Sequence, residues 1–187
     1  MIKLKALVAA ILFICLLNSS LYAGFNPFKR KHKRTGEENC QIVIDQVKKT
    51  DPDFKKLFDN AIAWAVFPSI GKAGIGIGGA AGNGRVYQKG QFIGTTTMTQ
   101  ISVGFQLGGQ VYSEIIFFQD ENTLNNFKDG KFELGANISA VIVKAGAGAT
   151  AGFKDGTIVL VMPKEGLMYE ATISGQKFTF KAGKTKK

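Results

Sequence analysis

Gly74, Gly76 and Gly79 stand in the GxGxxG spacing that can cradle the pyrophosphate of a dinucleotide. That chemistry needs a strand before the glycines, a helix N-terminus after them, and an acidic residue about 20 positions on for the ribose. Here Gly79 runs into Ala80-Ala81-Gly82-Asn83-Gly84, which has the composition of a tight reversal, and no Asp or Glu lies between Asp59 and Glu114. A GxxxxGK[ST] phosphate loop is also missing. The glycines are therefore read as part of a strand. Ile75 and Ile77, separated by single glycines, would face one side and leave the other bare enough for a second layer to approach.

The remaining reactive residues do not converge on a reaction. Asp51, Asp53 and Asp59 surround a helix, and most of the later acids adjoin turns or caps. Glu114 is the exception: it borders the apolar run Ile115–Phe118, is the one candidate for a buried acid, and is expected to pair with Arg85 or Lys72 or to sit at a strand end. Paired-carboxylate catalysis needs two such acids in one cleft. A single histidine, His32, and a lone mature cysteine, Cys40, are too few for a zinc or iron site. Cys40 is expected to be a buried helical thiol rather than a nucleophile, and no GxSxG elbow is present. No cofactor, no metal and no enzymatic activity are expected.

Charge points to a binding role instead. Lys and Arg number 24 against 14 Asp and Glu, a net charge of +10, so an anionic partner is the natural expectation. Two groups of cations carry it. Lys48, Lys49, Lys55 and Lys56 fall on helical segments, with Lys72 further on. Lys29, Arg30, Lys31, Lys33 and Arg34 follow Phe25 and Phe28, the pattern of a segment whose rings enter a membrane interface while its charges meet anionic headgroups. A solvated linker with the same charge is the alternative for this second group. Nucleic acid fits the charge, but RNP-like aromatic motifs and a helix-turn-helix pattern are absent.

The first residues read as a targeting segment. Met1–Lys5 is short and basic, 6–17 is apolar, and Ser19-Ser20-Leu21-Tyr22-Ala23 ends on a small residue, the layout of a signal peptide cut after Ala23. Ile14 before Cys15 argues against a lipid-modified cysteine. An exported protein of the periplasm or cell envelope is expected, with an uncleaved N-terminal anchor as the alternative. The organisation is then a signal peptide over 1–23, a basic linker over 24–36, one domain over 37–181 and a basic tail over 182–187.

The elements that must position these residues are legible from periodicity. Residues 37–49 read as a helix, with Glu37 and Glu38 in the first turn and Lys48 and Lys49 in the last. Asp51-Pro52-Asp53 starts a second, with Phe54, Leu57 and Phe58 on one face. Beyond them the pattern is β. Reversals are expected at Gly82-Asn83-Gly84, Lys89-Gly90 and Ser174-Gly175, with a strand stop at Pro163. Asp120 is expected to cap a short helix bearing Leu124 and Phe127. The fold class is α+β: a curved antiparallel β-sheet or half-barrel of many short strands, with N-terminal helices and one short inserted helix.

The runs LFDNAIAWAVFPSIGKAGIGIGGAAGNGRVY, QISVGFQLGGQVYSEIIFF, NTLNNFKDGKFELGANISA and GLMYEATISG resemble the SYLF domain, also known as the yeast-type actin-binding domain. The likeness covers 42–180 and is carried by Lys72-Ala73-Gly74, by 104–110 (GFQLGGQ) and by 132–137 (FELGAN). The resemblance implies a non-enzymatic module that binds phosphoinositide membranes, helped by a basic amphipathic N-terminal segment, and in some members actin. By the resemblance, Lys48, Lys49, Lys55, Lys56 and Lys72 are the lipid-binding positions. The signal peptide and the lack of an SH3 or zinc-finger module depart from the eukaryotic pattern and argue against actin as a partner of an exported protein. The partner expected is an anionic phospholipid membrane, and the alternative is an envelope scaffold that binds another protein through its sheet.

Overall fold

The computed structural model describes residues 34–134, 140–142, 153 and 155–183. The proposed signal peptide, the segment from Phe25 to Lys33 and Lys184–Lys187 lie outside them. Helix α1 (Gly36–Thr50) starts on a capping box. The Thr35 hydroxyl accepts from the Glu38 amide at 3.2 Å, while the Glu38 carboxylate accepts from the Thr35 amide at 2.6 Å. Helix α2 (Pro52–Asn60) follows at once, because Asp51 caps it and Pro52 supplies a preset first turn.

Three long strands follow. β1 (Ala63–Gln88) turns at Lys89-Gly90, both at positive φ, into the antiparallel β2 (Gln91–Phe118). Helix α3 (Glu121–Lys128), capped by Asp120, precedes the short strands β3 (Glu133–Leu134) and β4 (Ala140–Ile142). β5 (Thr157–Ala182) pairs antiparallel with β2 along its whole length. The sheet order is β1-β2-β5-β3, with β4 parallel to β5, so β1 is an edge.

Strands of this length cannot stay straight in a small domain, and these bend. The β1–β2 register slips between Ile75 and Ile77, where Gly76 has φ +71° and Gly104 opposite has φ +138°. Beyond that bulge β1 returns over its own first half. A Cβ at Gly82 would fall 2.6 Å from the Ile70 side chain, and one at Gly84 would fall 2.6 Å from the Val66 carbonyl oxygen and 2.8 Å from the Phe67 ring. The sheet is thus doubled into two layers without closing.

Alternation along β1 divides the core. Trp64 and Val66 join Ile115, Phe117, Ile158 and Leu160 under Val43, Val47, Phe54 and Phe58 of the helices. Phe58 meets Trp64 and Phe117 edge-on at 5.3 and 4.8 Å. Ala65, Phe67 and Ile70 face the other way, into the space between the layers, with Met98, Ile116 and Phe178, and Leu124 and Phe127 of α3 complete that core.

The α+β class and the antiparallel sheet agree with the sequence reading. The segmentation differs. Gly82-Asn83-Gly84 is no turn: it pairs in register with Met98-Thr97-Thr96 inside β1. β5 runs through Pro163 and through Ser174-Gly175, which pairs with Ser102-Ile101. Pro163 is tolerated at the register shift between Val111 and Tyr112, where the ladder is already broken. The glycines serve close layer contact, not reversal.

Gly84→Ala should therefore cost about 1–3 kcal/mol through overpacking. Gly71→Ala, whose added methyl meets nothing within 4 Å, should stay near neutral. Urea denaturation of both variants checks this, and equal stabilities would remove the close approach as a constraint.

Candidate functional site

The four helical lysines come out on exposed surface. α1 buries Cys40, Val43, Ile44 and Val47, and α2 buries Phe54, Leu57 and Phe58, which leaves Lys48, Lys49, Lys55 and Lys56 outside. Lys48 Nζ sits 4.6 Å above the Phe58 ring, and Lys56 is paired with Asp53 at 2.7 Å. Arg34 is exposed as well, whereas Phe25, Phe28, Lys29, Arg30, Lys31 and Lys33 fall outside the described residues.

Lys72 is placed elsewhere. It follows Ile70 by two residues in an unbroken register, so it shares the inner face and not the helix-covered one. It is 8% exposed and opposes Gln110. The structure therefore does not gather the five lysines into one patch.

Around Lys72 the two layers part into an open cleft of about 790 Å³, walled by Gly71–Ala73, Gly79–Ala81, Thr99–Gln100 and Gly109–Val111. Its inner faces are small or polar, because Lys72, Gln100 and Gln110 take the positions that Phe67, Ile70 and Met98 hold deeper in. A polar layer adjoins it through Gln100. Gln176 Nε2 donates to Gln100 Oε1 at 3.3 Å and to Glu114 Oε2 at 3.1 Å. Glu114 Oε1 and Gln176 Oε1 have no hydrogen-bond partner among the described residues.

Glu114 is the buried acid expected from sequence, 2% exposed. Its partner is not Arg85, whose guanidinium reaches Glu37 at 3.3 Å and stacks 3.8 Å from the Phe92 ring centre. Burial pushes the Glu114 carboxyl up to about 7, and the Gln176 hydrogen bond only partly opposes it. Glu114 does not line the cleft. Cys40 is a buried thiol, as read, with Sγ 3.6 Å from the Val66 carbonyl oxygen; burial raises it to about 11 against the opposing pull of Arg85. A neutral, enclosed thiol is a poor nucleophile.

What sequence reasoning missed is the outer surface at the bend. Ile75, Ile77, Ile101, Val103 and Leu107 are 54–81% exposed. They are paired: Ile75 opposes Leu107, Ile77 opposes Val103, and Ile101 opposes Gly79. The available signal was the absence of any charge over 73–84 and 90–113.

Residues 99–187 match the family model of Ysc84, described as Las17-binding protein actin regulator. The SYLF resemblance drawn from the motifs is borne out there. The Ysc84 match takes in Gln100, Glu114 and Gln176, so the buried polar layer lies within it, while Lys72 and the helical lysines precede it. A curated relative, beta cell expansion factor A of Aeromonas veronii, is 27% identical over 136 residues, which is 68% of this chain and 49% of the relative. The chain spans about half the length of that relative. The description of the matched family is that of a binding and regulatory protein.

The Glu114 shift sets a pH dependence. A carboxyl raised from 4.5 to about 7 stabilises the fold fully below the unfolded value, and that contribution is lost as pH rises through 7. Glu114→Gln, which mimics the neutral acid, should match wild type near about pH 4 and exceed it at about pH 8 by up to about 3 kcal/mol. Thermal denaturation at the two pH values checks the sign. A mutant offset independent of pH would refute it.

Proposed function

We propose that the protein binds anionic, phosphoinositide-like lipid headgroups at a membrane surface and performs no bond-making there. The observation that carries this reading is the exposure of Lys48, Lys49, Lys55 and Lys56 on two short adjoining helices of a chain with net charge +10. Each cation near an anionic surface contributes about 1 kcal/mol. Lys49 and Lys55 are the best placed of the four, because Asp53 already holds Lys56 and the Phe58 ring holds Lys48. Phe25, Phe28 and the cations from Lys29 to Arg34 would add a second contact. Their charges act even from an unstructured chain, so this part of the reading needs no particular conformation. Lys72, on the inner face, is assigned to the cleft and not to this patch.

The 1–23 segment makes export the proposed route, and the exported compartment then decides which acidic lipid is met. Actin is not proposed as the partner on the same ground.

Co-sedimentation with vesicles tests the reading. Binding should rise with the fraction of acidic lipid and fall several-fold between about 0.1 and 0.5 M salt, as the Debye length contracts from ~10 Å to ~4 Å. Charge reversal at Lys48, Lys49, Lys55 and Lys56 together should weaken it at least about ten-fold. Equal pelleting with neutral vesicles would sink the electrostatic mechanism. Salt-resistant capture of an envelope protein without vesicle binding would favour the scaffold reading instead.

A further inference from the structure

The doubled sheet reverses its polarity toward the bend. Near the helices the space between the layers is aromatic and aliphatic, with Phe67, Ile70, Met98 and Phe178 buried there. Further out the inward positions include Lys72, Gln100, Ser102 and Gln110 beside the small Ala80, and the outward ones include Ile75, Ile77, Ile101, Val103 and Leu107. Polar groups inside and bare aliphatic groups outside are the pattern of strands that meet lipid, and the opposite of strands that meet water.

From this inversion we infer that the bend of β1 and β2 is a wedge that enters the acyl boundary of a bilayer. The inference rests on the membrane-surface reading above and names a surface that the helical lysines do not include.

Distance decides how far the wedge can go. Gly76 lies four residues beyond Lys72, about 13 Å at ~3.3 Å per residue. A bilayer core is ~30 Å thick, whereas interfacial elements bury their apolar face by ~5–10 Å. The wedge therefore enters one leaflet and does not span. At that depth Lys72 stays at headgroup level, where its ammonium can meet phosphate.

The distribution of the side chains favours a fluid occupant over a folded partner. Ile75 and Leu107 lie on the layer that the helices cover lower down; Ile77, Ile101 and Val103 lie on the returning layer, beyond the bulge. The apolar groups thus clothe both outer sides of a thin edge instead of forming one flat patch. Lipid chains surround such an edge; a rigid partner would have to grip it from two sides. Charge sets the lateral limit. No charged residue occurs in 73–84 or 90–113, but register places Glu170 of β5 opposite Gln106. The β1–β2 corner is therefore the part that inserts.

The test is site-specific labelling in the full chain with Cys15→Ser. Cys40, buried and pushed up to about 11, does not compete for the label. An environment-sensitive dye at Ile77→Cys, Ile101→Cys or Val103→Cys should shift to the blue on vesicles containing acidic phospholipid. It should also be quenched by lipids spin-labelled near the top of the chain. The same dye at Gln91→Cys, beside the Lys89-Gly90 turn, should do neither. The exposed double variant Ile77→Ser with Val103→Ser should keep the wild-type melting temperature and bind vesicles at least about ten-fold more weakly. Vesicle pelleting with all three labels still in water would overturn the insertion while leaving headgroup binding intact. Absence of pelleting would overturn both. A dimer in solution that the double variant dissociates would assign the surface to a second copy, and the wedge would fall.

Discussion

The structure depends on how closely two layers of one sheet can approach. Strands of 26 to 28 residues would extend far beyond the two short helices that cover them, so most of their length must find cover in the sheet itself. Gly82 and Gly84 make that possible by bringing the returning half of β1 against Ser69–Ile70 and Val66–Phe67 with no side chain between. Hydrogen bonding is satisfied along the ladders on either side of the bend, and the bulge at Gly76 takes the change of direction. The inner core lies between these two layers. Phe67, Met98 and Phe178 fill it near the helices, and α3 closes it with Leu124 and Phe127.

This arrangement also explains why the interior changes character. Helices shield only the Trp64–Val66 end of the outer face, so the far end must expose one set of side chains whichever way the strands alternate. Placing glycine and polar groups inward and isoleucine outward would be a poor choice for a surface that meets only water. A buried acid makes the same point from within. Glu114 sits where desolvation is costly, and the Gln176 amide that donates to it also donates to Gln100. The three polar groups, Gln100, Glu114 and Gln176, come from β2 and β5, the central strands.

Local chemistry was legible in the sequence wherever it was decided within a few residues. The caps at Asp51 and Asp120, the buried faces of the helices, the Lys89-Gly90 turn and the buried Cys40 all follow from nearest neighbours. Glycine was the point of failure. Gly82-Asn83-Gly84 and Ser174-Gly175 are good turn sequences, yet both lie within ladders, because what a glycine permits locally is decided by what approaches it from a distance. The same limit applies to Lys72. Its neighbours in sequence are small and exposed, and only the register with Gln110 and the return of Ala80 show that it faces inward. The exposed isoleucines were read as one face of a strand, which they are, but which face meets solvent depends on the doubling.

Net charge and an apolar edge do different work at a membrane, and their separation in this chain has a consequence. Coulomb attraction from the exposed helical lysines acts over about a Debye length and sets how often an acidic surface is met. Aliphatic contact acts only once water is displaced, and sets how long the encounter lasts. Were both on one face, either alone would account for binding, and salt would abolish it or leave it untouched. With the lysines on α1 and α2 and the aliphatic groups at the bend, the two contributions can be removed independently. In the proposed reading salt then slows arrival more than it hastens departure, since the inserted edge carries no charge from 73 to 84 or from 90 to 113.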